Sequence, residues 1–223
     1  MKRETLLFER PAELAAVRPA EAEGRERDEG RLLVSTPAAH RHARFRDLPD
    51  LLNPGDLLVV NRSATLPASL PAERAGGAPF ILNLSTHYGG DIWLAEPRFS
   101  PRLPGPLPDL APGAPISVSG DPARLIAPYP GLPRLWFVKL EGDPYALMNR
   151  SGKPIQYGYL DHEYGLDHYQ TVFSAYPGSA EMPSAAYPFT CRVVDDLKAR
   201  GVAIASIVLH TGVSSLEVET DIV

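Results

Sequence analysis

The stretch "PFILNLSTHYGGDIWLAEP", residues 79–97, decides how the fold is read. Two short runs rich in apolar residues, "PFILNLS" (79–85) and "DIWLAEP" (91–97), stand on either side of a Gly-Gly pair. Runs of this length bounded by glycine read as strands, whose side chains alternate between two faces. The texture continues in "PISVSG" (115–120), "ARLIAP" (123–128) and "RLWFVKLEG" (134–142), with Pro-Gly, Gly-Asp-Pro and Pro-Gly-Leu-Pro separators. Strand pieces at roughly ten-residue spacing predict a small antiparallel β-barrel over residues 71–143.

On both sides of this region the pattern changes. Upstream, residues 11–23 read as a short polar helix, and "RLLVSTP" (31–37) as a first strand. In "FRDLPDLLNPGDLLVVNRS" a helical turn is followed by the turn Asn53-Pro54-Gly55-Asp56 and the strand 57–60. That strand is apolar throughout, so it is expected to be buried on both faces of a central sheet. Downstream, Thr190 can cap a helix "CRVVDDLKARG" with Val193, Val194 and Leu197 on one face and Gly201 as its stop. "VAIASIVLH" (202–210) reads as a buried, largely β-branched strand. A helix–strand unit of this kind signals an α/β layer. The expected architecture is therefore an α/β body, residues 1–70 and 144–223, interrupted by the barrel at 71–143 and threaded with Pro-rich loops. No internal repeat points to a solenoid.

Composition narrows the class. Twenty-four prolines in 223 residues is about twice the ordinary share, which favours short strands and stiff turns over long helices. Cys191 is the one cysteine, so no internal disulfide can form. The start, "MKRETLLFERPAEL", carries three glutamates and no apolar core of signal-peptide length, and no run approaches a membrane span. The reading is cytoplasmic. A net charge of −5 argues against nucleic-acid binding by bulk electrostatics but leaves room for local basic patches. "HRHARFR" (40–46) is such a patch, either a solvated strand face or a phosphate-contacting edge.

Ligands of α/β sheets gather beyond the carboxyl ends of strands. Here one strand runs into "NRSATLPA" and another into "HTGVSS", while "YQTVFSAYPGSAEMPSAAYPFT" (169–190) precedes the helix leading to the second. Prolines forbid a continuous helix across that segment, and its small residues let backbone groups approach a ligand. Asn61 and Ser63 at one strand end are groups that orient ligands or close turns; His210 at the other is a structural or a functional histidine. The chain lacks a G-x-G-x-x-G or Walker pattern, a G-x-S-x-G elbow and an H-E-x-x-H pair. Its histidines have no paired cysteines, so no zinc site is expected. "DHEYGLDH" (161–168) has the residue types for a metal ion but fits a solvated loop better.

Three segments, "LPDLLNPGDLLVVNRSATLPASL", "YQTVFSAYPGSAEMPSAAYPFT" and "LHTG", resemble the S-adenosylmethionine:tRNA ribosyltransferase-isomerase family of queuosine biosynthesis. Order, spacing and the intervening β-rich segment all agree, over essentially the whole chain. The resemblance implies an α/β body interrupted by a β-barrel. It implies transfer of the ribosyl part of S-adenosylmethionine, as co-substrate, to 7-aminomethyl-7-deazaguanine at the wobble position of the tRNA anticodon, with isomerisation to an epoxycyclopentanediol while adenine and methionine leave. No metal is implied, and no membrane.

Such chemistry needs a base for a ribose C5′ proton, and an aromatic wall for the sulfonium, for which Tyr157, Tyr159 or Tyr169 could serve. It also needs a grip on the acceptor base. Positions matching the family pattern are Asn61, Pro67, Tyr169, Gln170, Thr171, Pro183, Phe189, His210 and Gly212. Of these, His210 is the candidate for proton transfer; the others except Pro67, together with Ser63 and Ser184, are candidate substrate contacts. The chain departs from the pattern at Ser63-Ala64-Thr65 and Ser69, where two arginines are lost, and at Pro188, where a histidine is lost. It departs again at Glu181, Met182 and Ser214-Ser215-Leu216. The family continues for roughly another hundred residues of α/β structure, whose absence would leave the sheet with an apolar edge. Other readings stay open: a diverged paralogue binding S-adenosylmethionine or a nucleoside with another acceptor, or a non-catalytic fragment that binds RNA, a missing C-terminal half or a second copy of itself.

Overall fold

In the computed structural model, residue 9 and residues 11–213 are described, apart from 78, 102 and 104–106. Residues 1–8 at the amino terminus and the Ser214-Ser215-Leu216 position lie outside the described residues.

Six antiparallel strands close into a barrel: β5 (Ser69–Arg74), β6 (Pro79–Gly89), β7 (Ile92–Arg98), β8 (Pro115–Val118), β9 (Asp121–Tyr129) and β10 (Leu132–Leu140), paired in the order β10-β7-β6-β5-β8-β9. Alternation puts Leu70, Leu82, Leu84, Leu94, Leu125 and Val138 inside, all essentially without exposure. A barrel this narrow is filled by side chains rather than hollow. Register shifts in β6 and β10 supply the bulges that let the strands curl shut. The sequence reading did not foresee β5, which starts at Ser69, two residues before the expected barrel boundary, because Pro71 argues against a strand interior.

The chain then forms α1 (Pro144–Ser151), also unforeseen, with Asp143 as N-cap accepting from the Tyr145 amide at 2.9 Å and Pro144 in the first turn. Its Leu147 and Met148 are buried in the same cluster as the barrel core.

The body is built from paired short strands. β1 (Arg31–Ser35) and β2 (His40–Arg44) form an antiparallel hairpin. β3 (Leu57–Asn61) runs parallel to β12 (Ala203–Ile207), and β4 (Ser63–Thr65) runs parallel to β11 (Tyr176–Ser179). Thus the segment expected to be irregular contains a strand, β11, although Pro177 and Gly178 lie within it. α2 (Cys191–Ala199) matches its expected caps: Thr190 accepts from the Val193 amide, and Gly201 adopts φ +81°. Val193 and Leu197 face a second core with Phe189 and Val202, while Val194 is half-buried beside it.

Three further expectations are corrected. Residues 11–23 are not one helix but two 3₁₀ turns, Ala12–Leu14 and Ala20–Glu23, because Pro19 holds an extended conformation between them. The strands at 57–60 and 202–210 are not buried on both faces. Leu57 and Val59 are 62% and 52% exposed, and Ile207, Val208 and Leu209 are exposed as well. Each of the two strands has one ladder partner among the described residues, and only Val60, Leu58, Val202 and Ile204 turn inward.

Candidate functional site

β3 and β12 are parallel, so their carboxyl ends meet at one edge, with Asn61 opposite Ile207. Beyond that pair Asn61 takes over from the ladder. Its Nδ2 donates to the Leu209 carbonyl at 2.7 Å, and its Oδ1 accepts from the Leu209 and Ser63 amides at 3.0 Å each. One amide side chain thereby ties the two strand tips together. His210 follows directly. Its Nδ1 is 2.7 Å from Ser63 Oγ, which is 2.6 Å from Ser179 Oγ; Ser179 Oγ also accepts from the Thr211 amide at 3.0 Å. Both serines have no exposed surface, whereas His210 is exposed. The imidazole lies on Gly178: a Cβ there would fall 2.2–2.5 Å from its ring atoms.

The strand tips and the Pro-rich segment surround a cavity of about 560 Å³. Asn61, Thr211 and Gly212 line it from the tips, and Glu181, Pro183 and Ser184 from the segment, with Phe189 in the wall. Five of the expected site residues therefore share one pocket: Asn61, Pro183, Ser184, Phe189 and Gly212. Ser63 and His210 stand next to this edge but do not line the cavity.

Gln170 and Thr171, two of the expected ligand contacts, line neither this cavity nor the one beside it. The Gln170 amide accepts from Thr65 N at 2.9 Å and donates to Thr65 O at 2.8 Å, completing the edge of β4 as a strand would. Thr171 closes a turn with Ser174, and the Thr65 hydroxyl donates to the Tyr169 carbonyl at 2.7 Å. These side chains fasten the segment that bears the pocket wall.

A second cavity of about 340 Å³ adjoins the first, with Met182 in the walls of both. Tyr157, Tyr159 and Tyr169 all face it, the first two stacked at 5.5 Å with 12° between their planes. Tyr164 and Tyr187 extend the aromatic lining, and Pro188 adds to the wall. Burial, helped by the charge of Glu181, pushes the Tyr157 phenol far up, so it stays neutral. Burial and a 2.7 Å hydrogen bond to Glu21 push Tyr187 up to about 12.

Arg18, Arg25 and Arg27 also line this cavity, and the sequence reading missed them. Each is neutralised locally: Arg18 by Asp161 at 2.5 Å, Arg25 by Glu23 and Arg27 by Glu21. Arg27 also lies 4.6 Å over the Tyr187 ring. The available signal was the interleaving of arginine and glutamate in "RPAEAEGRER" (18–27), which reads as a solvated face until its partners are known.

In "DHEYGLDH", Asp161 is held well below the usual carboxylate range by hydrogen bonds from Tyr164, then His162 and Arg18. Among the described residues no group of three or more His, Cys, Asp or Glu side chains gathers as metal ligands would, and no helix is long and apolar enough to cross a membrane. "HRHARFR" forms β2 and the turn after it; Arg44 and Arg46 reach back to Glu29, while His40, Arg41 and His42 are exposed.

A family profile described as "Queuosine biosynthesis protein" matches residues 3–222. The chain is 37% identical over 219 residues to the S-adenosylmethionine:tRNA ribosyltransferase-isomerase of Rubrobacter xylanophilus, covering 96% of this chain and 61% of the relative. The protein of that name from Moorella thermoacetica is 35% identical over 226 residues, covering 96% and 62%. A crystal structure of the S-adenosylmethionine tRNA ribosyltransferase of Thermotoga maritima aligns with 25% identity and a TM-score of 0.34, over 92% of this chain and 57% of that one. The chain thus spans about three fifths of the length of the relatives it matches.

Proposed function

This chain belongs to the queuosine biosynthesis protein family, and from that premise we propose that it transfers and isomerises the ribosyl moiety of S-adenosylmethionine onto 7-aminomethyl-7-deazaguanine in a tRNA. The observation that carries the reading is the meeting of two parallel strand tips and the Pro-rich segment around one cavity of about 560 Å³. That volume suits a nucleoside-sized ligand, and the carboxyl edge of a parallel pair is where such ligands sit.

In this reading Asn61, Ser184 and Gly212 meet the sugar and its substituents, and Pro183 and Phe189 form an apolar wall. His210, tied to the same edge, takes part in the reaction. The adjoining tyrosine-lined cavity accommodates the sulfonium or one of the two planar heterocycles, since ring faces attract cations by about 0.5–2 kcal/mol. S-adenosylmethionine is a co-substrate, the tRNA anticodon region is the macromolecular partner, and no metal takes part. The barrel, which begins at Ser69 rather than at 71, and the body on either side of it act as two structural units.

Purified protein is incubated with S-adenosylmethionine and a tRNA bearing the deazaguanine, and adenine release is followed. Release that requires the tRNA is expected; no release with any acceptor would remove the proposal. A second reading, a relative with a different acceptor, has its own support: Ser63 and Thr65, on either side of Ala64 where the family pattern has an arginine, are turned inward to hold His210 and the Tyr169 carbonyl. Release with a nucleoside or RNA lacking the deazaguanine would favour it.

A further inference from the structure

The hydrogen bonds around His210 have a direction. Ser179 Oγ, Ser63 Oγ and His210 Nδ1 form a chain with links of 2.6 and 2.7 Å, and the two serines are wholly buried. Each hydroxyl has one proton to give. At the far end, Ser179 Oγ already accepts from the Thr211 amide at 3.0 Å, and among the described residues its sole other partner is Ser63. If His210 donated from Nδ1 to Ser63, then Ser63 would donate to Ser179, and the Ser179 proton would be left buried with no acceptor. If Ser179 donates to Ser63 and Ser63 to Nδ1, both hydroxyl protons are used. Buried polar groups are almost always paired, so the second arrangement is the one the site supports.

We infer that neutral His210 is held as the tautomer with its proton on Nε2, and that Ser63 and Ser179 are the positioning residues that set it. This rests on the reading above only in assigning His210 a part in the reaction; the tautomer itself follows from the buried serines. Among the described residues Nε2 takes no partner, and the ring is fixed on its other side by the backbone at Gly178. His210 therefore offers an N–H rather than a lone pair. It acts as a hydrogen-bond donor to a substrate oxygen or nitrogen that gains electron density, and no proton needs to leave the ring. It is not the group that removes the ribose proton. That task falls to another side chain, and Glu181 is a carboxylate in the cavity wall.

The test is a long-range proton–nitrogen correlation spectrum of protein labelled with ¹⁵N-histidine, at a pH where His210 is neutral. The His210 signals are assigned by their absence in His210→Gln. The expected pattern is that of the Nε2–H form, with Nδ1 as the acceptor nitrogen. The pattern of the Nδ1–H form would overturn the inference, whatever the enzyme does in the adenine-release assay. In Ser63→Ala, and in Ser179→Ala if Ser63→Ala does not fold, the preference should give way to a mixture of tautomers. An unchanged spectrum in a folded variant would show that the serines do not set it. Failure of His210→Gln to lower adenine release, with the Nε2–H pattern present, would leave the tautomer standing and remove only the reaction role.

Discussion

Asp28 and Gly178 show how single positions hold this architecture. The Asp28 side chain has no exposed surface, accepts from the Thr190 hydroxyl at 2.7 Å and pairs with Arg192 at 2.6 Å. Burial raises its pKa, but the bonds from Thr190 and Arg192 outweigh it, and the carboxyl ends below its ordinary value. A carboxylate whose native pKa is depressed adds stability above its unfolded value of about 3.9, and that part is lost as pH falls through the native value. Asp28→Asn should therefore lower stability at pH 7 by about 1.5–3 kcal/mol and shrink the difference between pH 7 and pH 3, both read by urea denaturation. An equal loss at both pH values would contradict the pairing. Gly178→Ala should displace the His210 ring and cost about 1–3 kcal/mol by overpacking, seen as a lower midpoint together with shifted His210 signals. At this scale much of the site was legible. Asn61 ends β3 and His210 follows the end of β12 by three residues, each a polar residue that interrupts an apolar run. Ser179 and Tyr187 were not legible, because their partners are 116 and 166 residues away in the chain.

Elements were readable where local chemistry alone dictates them. α2 has a hydroxyl cap, an apolar stripe and a glycine stop within twelve residues, and it forms between them as Cys191–Ala199. Thr190→Ala should cost about 1–2 kcal/mol, since the same hydroxyl that caps the helix also donates to Asp28. Thermal denaturation of Thr190→Ala and Thr190→Ser would separate these effects from packing, because serine keeps both bonds. α1 was hidden because eight residues with a proline at the start and a glycine at the end carry too little periodicity, and its burial comes from the barrel it packs against. β11 was hidden for a different reason. Proline and glycine disfavour a strand, and it forms because the β4 edge offers it carbonyls and amides, with Gln170 extending that edge. The exposed faces of β3 and β12 show the converse. An apolar run states that a surface prefers cover, and the ladder partners decide whether the strand is flanked on one side or two.

Across the whole molecule the barrel and the site edge are joined by the residues just after His210. Val213 is buried within the barrel core cluster, its amide donating to Ser85 Oγ at 2.9 Å and its carbonyl accepting from Arg134 at 2.9 Å. Gly212, which lines the larger cavity, approaches the barrel so closely that a Cβ would lie 2.5 Å from Ser85 Oγ. One wall of the cavity is thus set against β6 of the barrel, and a change in the barrel should be felt at the site. Gly212→Ala pushes on the Ser85 hydroxyl and should cost about 1–3 kcal/mol by overpacking. Ser85→Ala removes the acceptor of the buried Val213 amide and should cost about 1–3 kcal/mol by a different route. In the double variant the hydroxyl that the new methyl would strike is gone, so the costs should not add. The expected coupling is at least about 0.5 kcal/mol, in the sense that the double variant is more stable than the sum predicts. Urea denaturation of the four proteins measures it. Strict additivity would mean that the loop relaxes away from the barrel without resistance, and the cavity wall would then owe nothing to the contact between Gly212 and Ser85.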